Sequence, residues 1–188
     1  MDYREAIKDY LEREIQVLQN LDQGAIKAAM EAIVTAWREG KTVYTMGNGG
    51  SASTASHMVC DFNKGVSEAV GKNKFRFNCL SDNTALTMAI ANDIAYDDIF
   101  VFQLRGSVKP GDLIIALSGS GNSENVIRAV KYAKEQGAKI IALTGYNGGK
   151  LKELADYPLH VAVDDMQIAE DVHLIFNHLI MQVLSRGL

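Results

Sequence analysis

His57 and Asp61 stand four residues apart in "GNGGSASTASHMVCDF", and Glu170, His173 and His178 stand together in "AEDVHLIFNHL". On a helix, residues four apart project from one face, so His57 and Asp61 would point to the same place. Glu170 and His178, about two turns apart, would share a flank of their own helix. Histidine nitrogens and carboxylate oxygens from two helices are what a first-row metal site needs, and equally what a proton-transfer pair needs. Spacing alone leaves both readings open, beside the plainer one that each histidine is packed or at the surface.

Just before the first histidine, Gly47, Gly49 and Gly50 follow the apolar run "TVYTM", and Ser51 falls where a helix would start. Glycines let backbone N–H groups come close to a ligand, and the first turn of a helix carries partial positive charge, so this loop suits an anion. The run "DLIIALSGSGNSENV" repeats the arrangement, with Ser118, Ser120 and Ser123 around Gly119 and Gly121. Either loop alone reads equally well as an ordinary strand-to-helix turn, for which Gly, Ser and Asn are the usual residues. Two serine-lined loops at the same phase of one repeat point instead to a single phosphate held between them. Rival glycine motifs fail on their letters. "GNGGSA" lacks the third glycine and the following acid of a dinucleotide fingerprint, and "GKT" at 40–42 precedes a strand where a nucleotide P-loop would follow one.

These residues need elements to position them. Apolar runs at 42–46, 75–80, 112–118, 138–144 and 157–163 read as strands, alternating with helices expected at 52–63, 83–92, 123–136, 148–155 and 167–185. Such alternation predicts an α/β fold, an open and mainly parallel sheet covered on both faces, with its crevice at the carboxyl ends of the strands. Two amphipathic helices, separated near Gly24, fill residues 2–38 and precede any strand; they serve either to pack on the domain or to build a bundle with other subunits. No linker composition appears, so one domain is expected over 1–188, with a helical hairpin at 1–38 and an α/β core at 42–188.

Composition narrows the function classes. The 188 residues are 47% hydrophobic, enough for a real core without disulfides. A net charge of −4 gives no basic footprint for nucleic acid or an anionic membrane. Two cysteines, Cys60 and Cys79, are too few for a disulfide framework, and no apolar run approaches the length of a membrane span, so a reduced cytoplasmic protein is expected.

Taken together, "GNGGSxxxxxHxxxD", "SGSGNSENV" and "AEDVHLIFNHL" resemble the sugar isomerase (SIS) domain family, and within it the phosphoheptose isomerases. The likeness spans nearly the whole chain, including "ANDIAYDDIF". It implies a three-layer αβα sandwich around a five-stranded parallel sheet, assembled as a homotetramer through the leading helices, with active sites at subunit interfaces. It implies that Ser51, Ser118, Ser120 and Ser123, with Gly49 and Gly119, hold a sugar phosphate, and that Asn48, Asp93 and Glu170 contact the sugar. His57, Asp61, Glu170 and His178 would form a cluster for Zn²⁺ or another divalent ion, with Asp61 and His178 shuttling protons. The implied reaction is aldose–ketose isomerisation of sedoheptulose 7-phosphate through a cis-enediol. Three positions depart from the family pattern: Asp61 replaces its usual Glu, Glu170 its usual Gln, and Gly119 its usual Thr, which makes the cluster more negative. Another terminally anionic sugar, or a non-catalytic adaptor or sensor, stays open as an alternative, and an adaptor has no need of the four-residue cluster.

Overall fold

In the central strands, successive side chains alternate between two apolar layers, and this alternation builds the sheet. Val43, Leu113, Ile115, Leu117, Ile141 and Leu143 pack on one face. Tyr44, Met46, Ile114, Ala116, Ile140 and Ala142 pack on the other. The computed structural model describes residues 2–71 and 74–188. Strands β1 (Val43–Met46), β2 (Phe77–Cys79), β3 (Leu113–Ser118), β4 (Lys139–Thr144) and β5 (Tyr157–His160) form one parallel sheet in the order β2-β1-β3-β4-β5.

The helices are α1 (Arg4–Gln19), α2 (Gln23–Arg38), α3 (Gly49–Cys60), α4 (Ser67–Val70), α5 (Thr84–Asp93), α6 (Val101–Leu104), α7 (Glu124–Glu135), α8 (Gly149–Leu154) and α9 (Met166–Gly187). The first apolar layer is covered by α2, α3, the π-helical turn at Asp61–Val66 and α9, through Ile33, Met58, Phe62, Val172, Phe176 and Ile180. The second is covered by α5 to α8, through Ile90, Leu104, Val126, Val130 and Leu151. Strand order reverses between β1 and β3, because β2 lies to one side of β1 and the rest of the sheet to the other. Loops leaving two such neighbouring strands diverge to opposite faces and open a crevice between them.

Helix α1 packs lightly, with Tyr10, Val17 and Leu18 partly buried against the first layer. It buries none of its residues fully, and Tyr3, Ile7, Leu11 and Ile15 form an exposed apolar stripe at helical spacing. It is tied to the start of α9 by Tyr10 donating to Asp171 and by an Arg13–Asp165 ion pair.

Several boundaries differ from those the sequence suggests. The two leading helices part at Asp22, not Gly24, because the Asp22 carboxylate caps α2 by accepting from the Ala25 N–H at 3.0 Å. Helix α3 begins at Gly49, earlier than expected, and then widens into a π-helix over Asp61–Val66. β2 and β5 are shorter than their apolar runs. Phe75 leaves the ladder because its N–H is taken by Ser67 Oγ at 2.8 Å.

Candidate active site

The two glycine–serine loops leave β1 and β3, the strands flanking the reversal, and so face one crevice. In the first, Gly47 has no room for a side chain because Ser51 fills the space. Gly47 is also tied to Ser81, whose hydroxyl donates to the Gly47 carbonyl at 2.9 Å. Gly49 takes a positive φ of 53° at the first turn of α3, a conformation that glycine adopts without strain. Ser51 is buried in that same turn.

Asn48 joins the two loops. Its Oδ1 accepts from the Tyr96 hydroxyl and from Asn125 Nδ2, each at 3.0 Å, and its Nδ2 donates to Asn125 Oδ1 at 3.0 Å. Asn125 lies in the first turn of α7, so one amide pair locks the first loop to the helix that follows the second.

In the second loop Ser118 and Ser123 share a hydrogen bond of 3.1 Å between their hydroxyls, and the Ser120 hydroxyl accepts from the Asn122 N–H at 3.2 Å. Gly119 is packed under the Met166 sulfur, which occupies the place of a side chain. Gly121 has φ 66° and abuts the Gly148 carbonyl. A third loop, residues 145–149, therefore braces the second: Gly145 donates to the Gly119 carbonyl at 2.8 Å, and Leu151 to that of Gly121 at 2.9 Å. Tyr146 in this brace holds a positive φ of 47°, unusual for a residue with a side chain.

The histidine–carboxylate cluster forms where α9 crosses the end of α3. Asp61 is the first residue of the π-helix, and His57 precedes it by one turn. His57 Nε2 lies 3.4 Å from Asp61 Oδ1, and His178 Nε2 lies 3.9 Å from Asp61 Oδ2. The two imidazoles meet edge to face with centroids 5.0 Å apart. Candidate ligand atoms of His57, Asp61 and His178 all fall within 4.8 Å of one another. Asp61 is 13% exposed, whereas His57 and His178 remain 42% and 48% exposed, so the cluster opens outward from a half-sunken carboxylate. Two imidazole nitrogens and one carboxylate fit a tetrahedral Zn²⁺ with an open fourth position. The chemistry of this donor set also fits Mn²⁺ or Ni²⁺.

Glu170 is not part of this group. Its carboxylate lies against Gly50, where a side chain at residue 50 would otherwise begin, at the positive end of α3. His173 is sealed in the core instead: burial pushes its pKa down to about 4, aided by His160 and opposed by the Thr144 backbone, so the ring is neutral near pH 7. Asp93 ends α5 at the surface, where its carboxylate accepts from Asn92 Nδ2 at 2.7 Å.

Sequence reasoning missed Asn125, Tyr96 and Asn177. Asn177 Nδ2 donates to Asp61 Oδ2 at 2.7 Å. The available signal was a polar letter inside the apolar stretch "LIFNHLI".

A parallel α/β sheet with two hydroxyl-lined loops at its reversal, beside a histidine–carboxylate cluster, has the layout of an α/β protein whose crevice lies at the carboxyl ends of its strands. Comparison with known proteins agrees: the SIS domain model matches residues 2–145, and the chain belongs to that family. It is 36% identical over 192 residues to a phosphoheptose isomerase of Synechocystis, covering 96% of this chain and 94% of that protein. Among solved structures, the phosphoheptose isomerase of Francisella tularensis superposes with a TM-score of 0.91 at 26% identity, covering all of both chains. That of Neisseria gonorrhoeae gives 0.90 at 27%, covering 98% of this chain and 100% of the other.

Proposed function

We propose that this chain is a phosphoheptose isomerase, interconverting sedoheptulose 7-phosphate and D-glycero-D-manno-heptose 7-phosphate through a cis-enediol. The observation that carries the reading is the His57–Asp61–His178 cluster, formed where α9 crosses the far end of the helix that starts at the first anion loop. Ser51 precedes His57 by six residues, about 9 Å along α3. That separation lets a sugar be held by its phosphate at one end while its carbonyl end reaches the cluster.

In this reading Ser51, Ser118, Ser120 and Ser123 hold the phosphate, helped by backbone N–H groups at Gly49 and Gly119 and by the start of α3. Asn48, Asp93 and Glu170 address the sugar hydroxyls; Asn48 does so while its amide braces the two loops. Isomerisation moves a carbon-bound proton from C1 to C2 of the ketose and a second proton between the two oxygens. Asp61 and His178 are the groups placed to take and return these protons. A divalent cation, Zn²⁺ foremost, held by His57, Asp61 and His178 would polarise the two oxygens while charge develops on them.

Binding tests the phosphate end. Ser120→Ala removes one charge-assisted hydrogen bond, so the dissociation constant for sedoheptulose 7-phosphate is expected to weaken by about 1.5–3 kcal/mol. Calorimetric titration that finds an unchanged constant would reduce the loop to a turn.

A homotetramer, with the leading helices at its interfaces, belongs to the same proposal. It is supported by the stripe of Tyr3, Ile7, Leu11 and Ile15, which α1 leaves facing solvent. Light scattering at micromolar concentration should give the mass of four chains, and Leu11→Glu with Ile15→Glu should lower it; a monomer in the unsubstituted protein contradicts the assembly. A cytoplasmic location fits the two free cysteines, and among the described residues no helix is long and apolar enough to cross a membrane.

A further inference from the structure

We infer that Asn177 is a positioning residue for Asp61, fixing the carboxylate so that Oδ1 faces His57 and Oδ2 faces His178. The inference deepens the isomerase reading and rests on it.

Helix α9 turns Ile168, Val172, Phe176, Ile180 and Leu184 into the core, and Asn177, on the same side of the helix, is 0% exposed. Within that apolar surround its amide is only half satisfied. Nδ2 makes the 2.7 Å bond to Asp61 Oδ2, while Oδ1 has no partner among the described residues. A carboxylate only accepts, so the amide nitrogen is the end that faces Asp61, and the orphaned oxygen cannot be relieved by a flip. A buried, unpaired acceptor weakens a fold, and a leucine of similar size would avoid that penalty. A local rule broken in this way is expected at functional sites, and here the amide's one bond goes to the clustered carboxylate.

What the bond achieves follows from geometry. Asp61 begins the π-helix with helical backbone dihedrals and its N–H on the His57 carbonyl, and its carboxylate projects from there toward α9. Asn177 reaches it from the opposing helix, 116 residues away in sequence. With Oδ2 held, Oδ1 faces His57 Nε2 at 3.4 Å and Oδ2 keeps its second side toward His178 Nε2 at 3.9 Å. Asp61 thus holds its carboxylate in one defined orientation between the two imidazoles, and the Asn177 amide sets it.

The test is Asn177→Leu, read in four ways. Cobalt(II) affinity, followed by the visible absorption of the bound ion, is expected to fall about 10–100-fold, the usual cost of losing a group that orients a ligand. Turnover number is expected to fall by a similar factor, with KM for the phosphoketose changed by less than about two-fold. The melting temperature should stay within about 3 °C, since a lost hydrogen bond is offset by the removal of the orphaned oxygen. In an Asp61→Asn background, the same substitution should cost less than about two-fold further in turnover, because both act through one carboxylate. Unchanged cobalt affinity together with unchanged turnover overturns the inference, as does an equal loss in both backgrounds. Should the leucine variant fail to fold, Asn177→Ala, which adds no bulk, is read by the same criteria. If the unsubstituted protein does not turn over the phosphoketose, the isomerase reading fails, and the cobalt titration still decides the role of Asn177.

Discussion

Replacing Asp61 by Asn is expected to lower kcat by about 10²–10⁴-fold, the usual contribution of a positioned proton-transfer group. The fold should survive. The amide is nearly isosteric with the carboxylate, and its oxygen still accepts from Asn177 Nδ2, the bond that joins α9 to the π-helix at 2.7 Å. The amide oxygen still coordinates a cation, though more weakly without its charge, so the loss of activity should far exceed the loss of metal. What an amide cannot do is accept the substrate's carbon-bound proton. Full activity in this variant would make the carboxylate a structural ligand and leave His178 as the sole candidate base.

The second large effect is expected from the cation. Chelation followed by dialysis should abolish turnover, and added Zn²⁺ should restore it. At a metal concentration a hundred times its dissociation constant, binding adds about 2.7 kcal/mol of stability, which for a chain of this size is about 5–10 °C of melting temperature. His178→Gln should remove both effects together: its Nε2 is one of the clustered donor atoms, and the ring is exposed enough that its loss leaves no buried cavity. The diagnostic result is a variant whose melting temperature no longer responds to chelator. A protein that turns over in chelator and melts at the same temperature with and without Zn²⁺ would show that His57, Asp61 and His178 meet for structural reasons alone.

Much of this architecture was legible from the letters, and the exceptions have physical causes. β3 and β4 read plainly because both faces are buried and their runs are almost wholly apolar. The apolar runs overextend β2 and β5 because buried side chains continue beyond the paired residues: Phe75 gives its N–H to Ser67 Oγ, and Val161, just after β5, makes a final bond to the Thr144 carbonyl. The sequence suggests too late a start for α3 because Gly49 and Gly50 have low helix propensity. Here Asn48 stands at the N-cap, and the Glu170 carboxylate fills the space beside Gly50. Nothing in "CDFNKGV" announces a π-helix, since its wider hydrogen bonding carries no side-chain signature.

The site divides in the same way. One-turn spacing on a helix is a local property, so the pairing of His57 with Asp61 was visible in the sequence. His178 joins them through a helix crossing, and that geometry was supplied by family likeness. Glu170 and His178 share a flank of α9, yet about two turns of helix carry Glu170 to the opposite end of α3, so a shared flank did not amount to a shared site. The links Tyr96–Asn48–Asn125 and Asn177–Asp61 are tertiary, between residues 48, 77 and 116 positions apart, and spacing along the chain cannot show them.

The central claim is that a carbon-bound proton is removed beside the carbonyl of a phosphorylated ketose. Proton NMR of sedoheptulose 7-phosphate incubated with the Zn²⁺-loaded protein in D₂O measures that event directly. An aldose anomeric signal should grow in, and deuterium should enter the ketose at C1 and the aldose at C2, as an enediol that exchanges its proton with solvent requires. A substrate spectrum that stays unchanged, with neither an aldose signal nor deuterium at either carbon, would contradict the account.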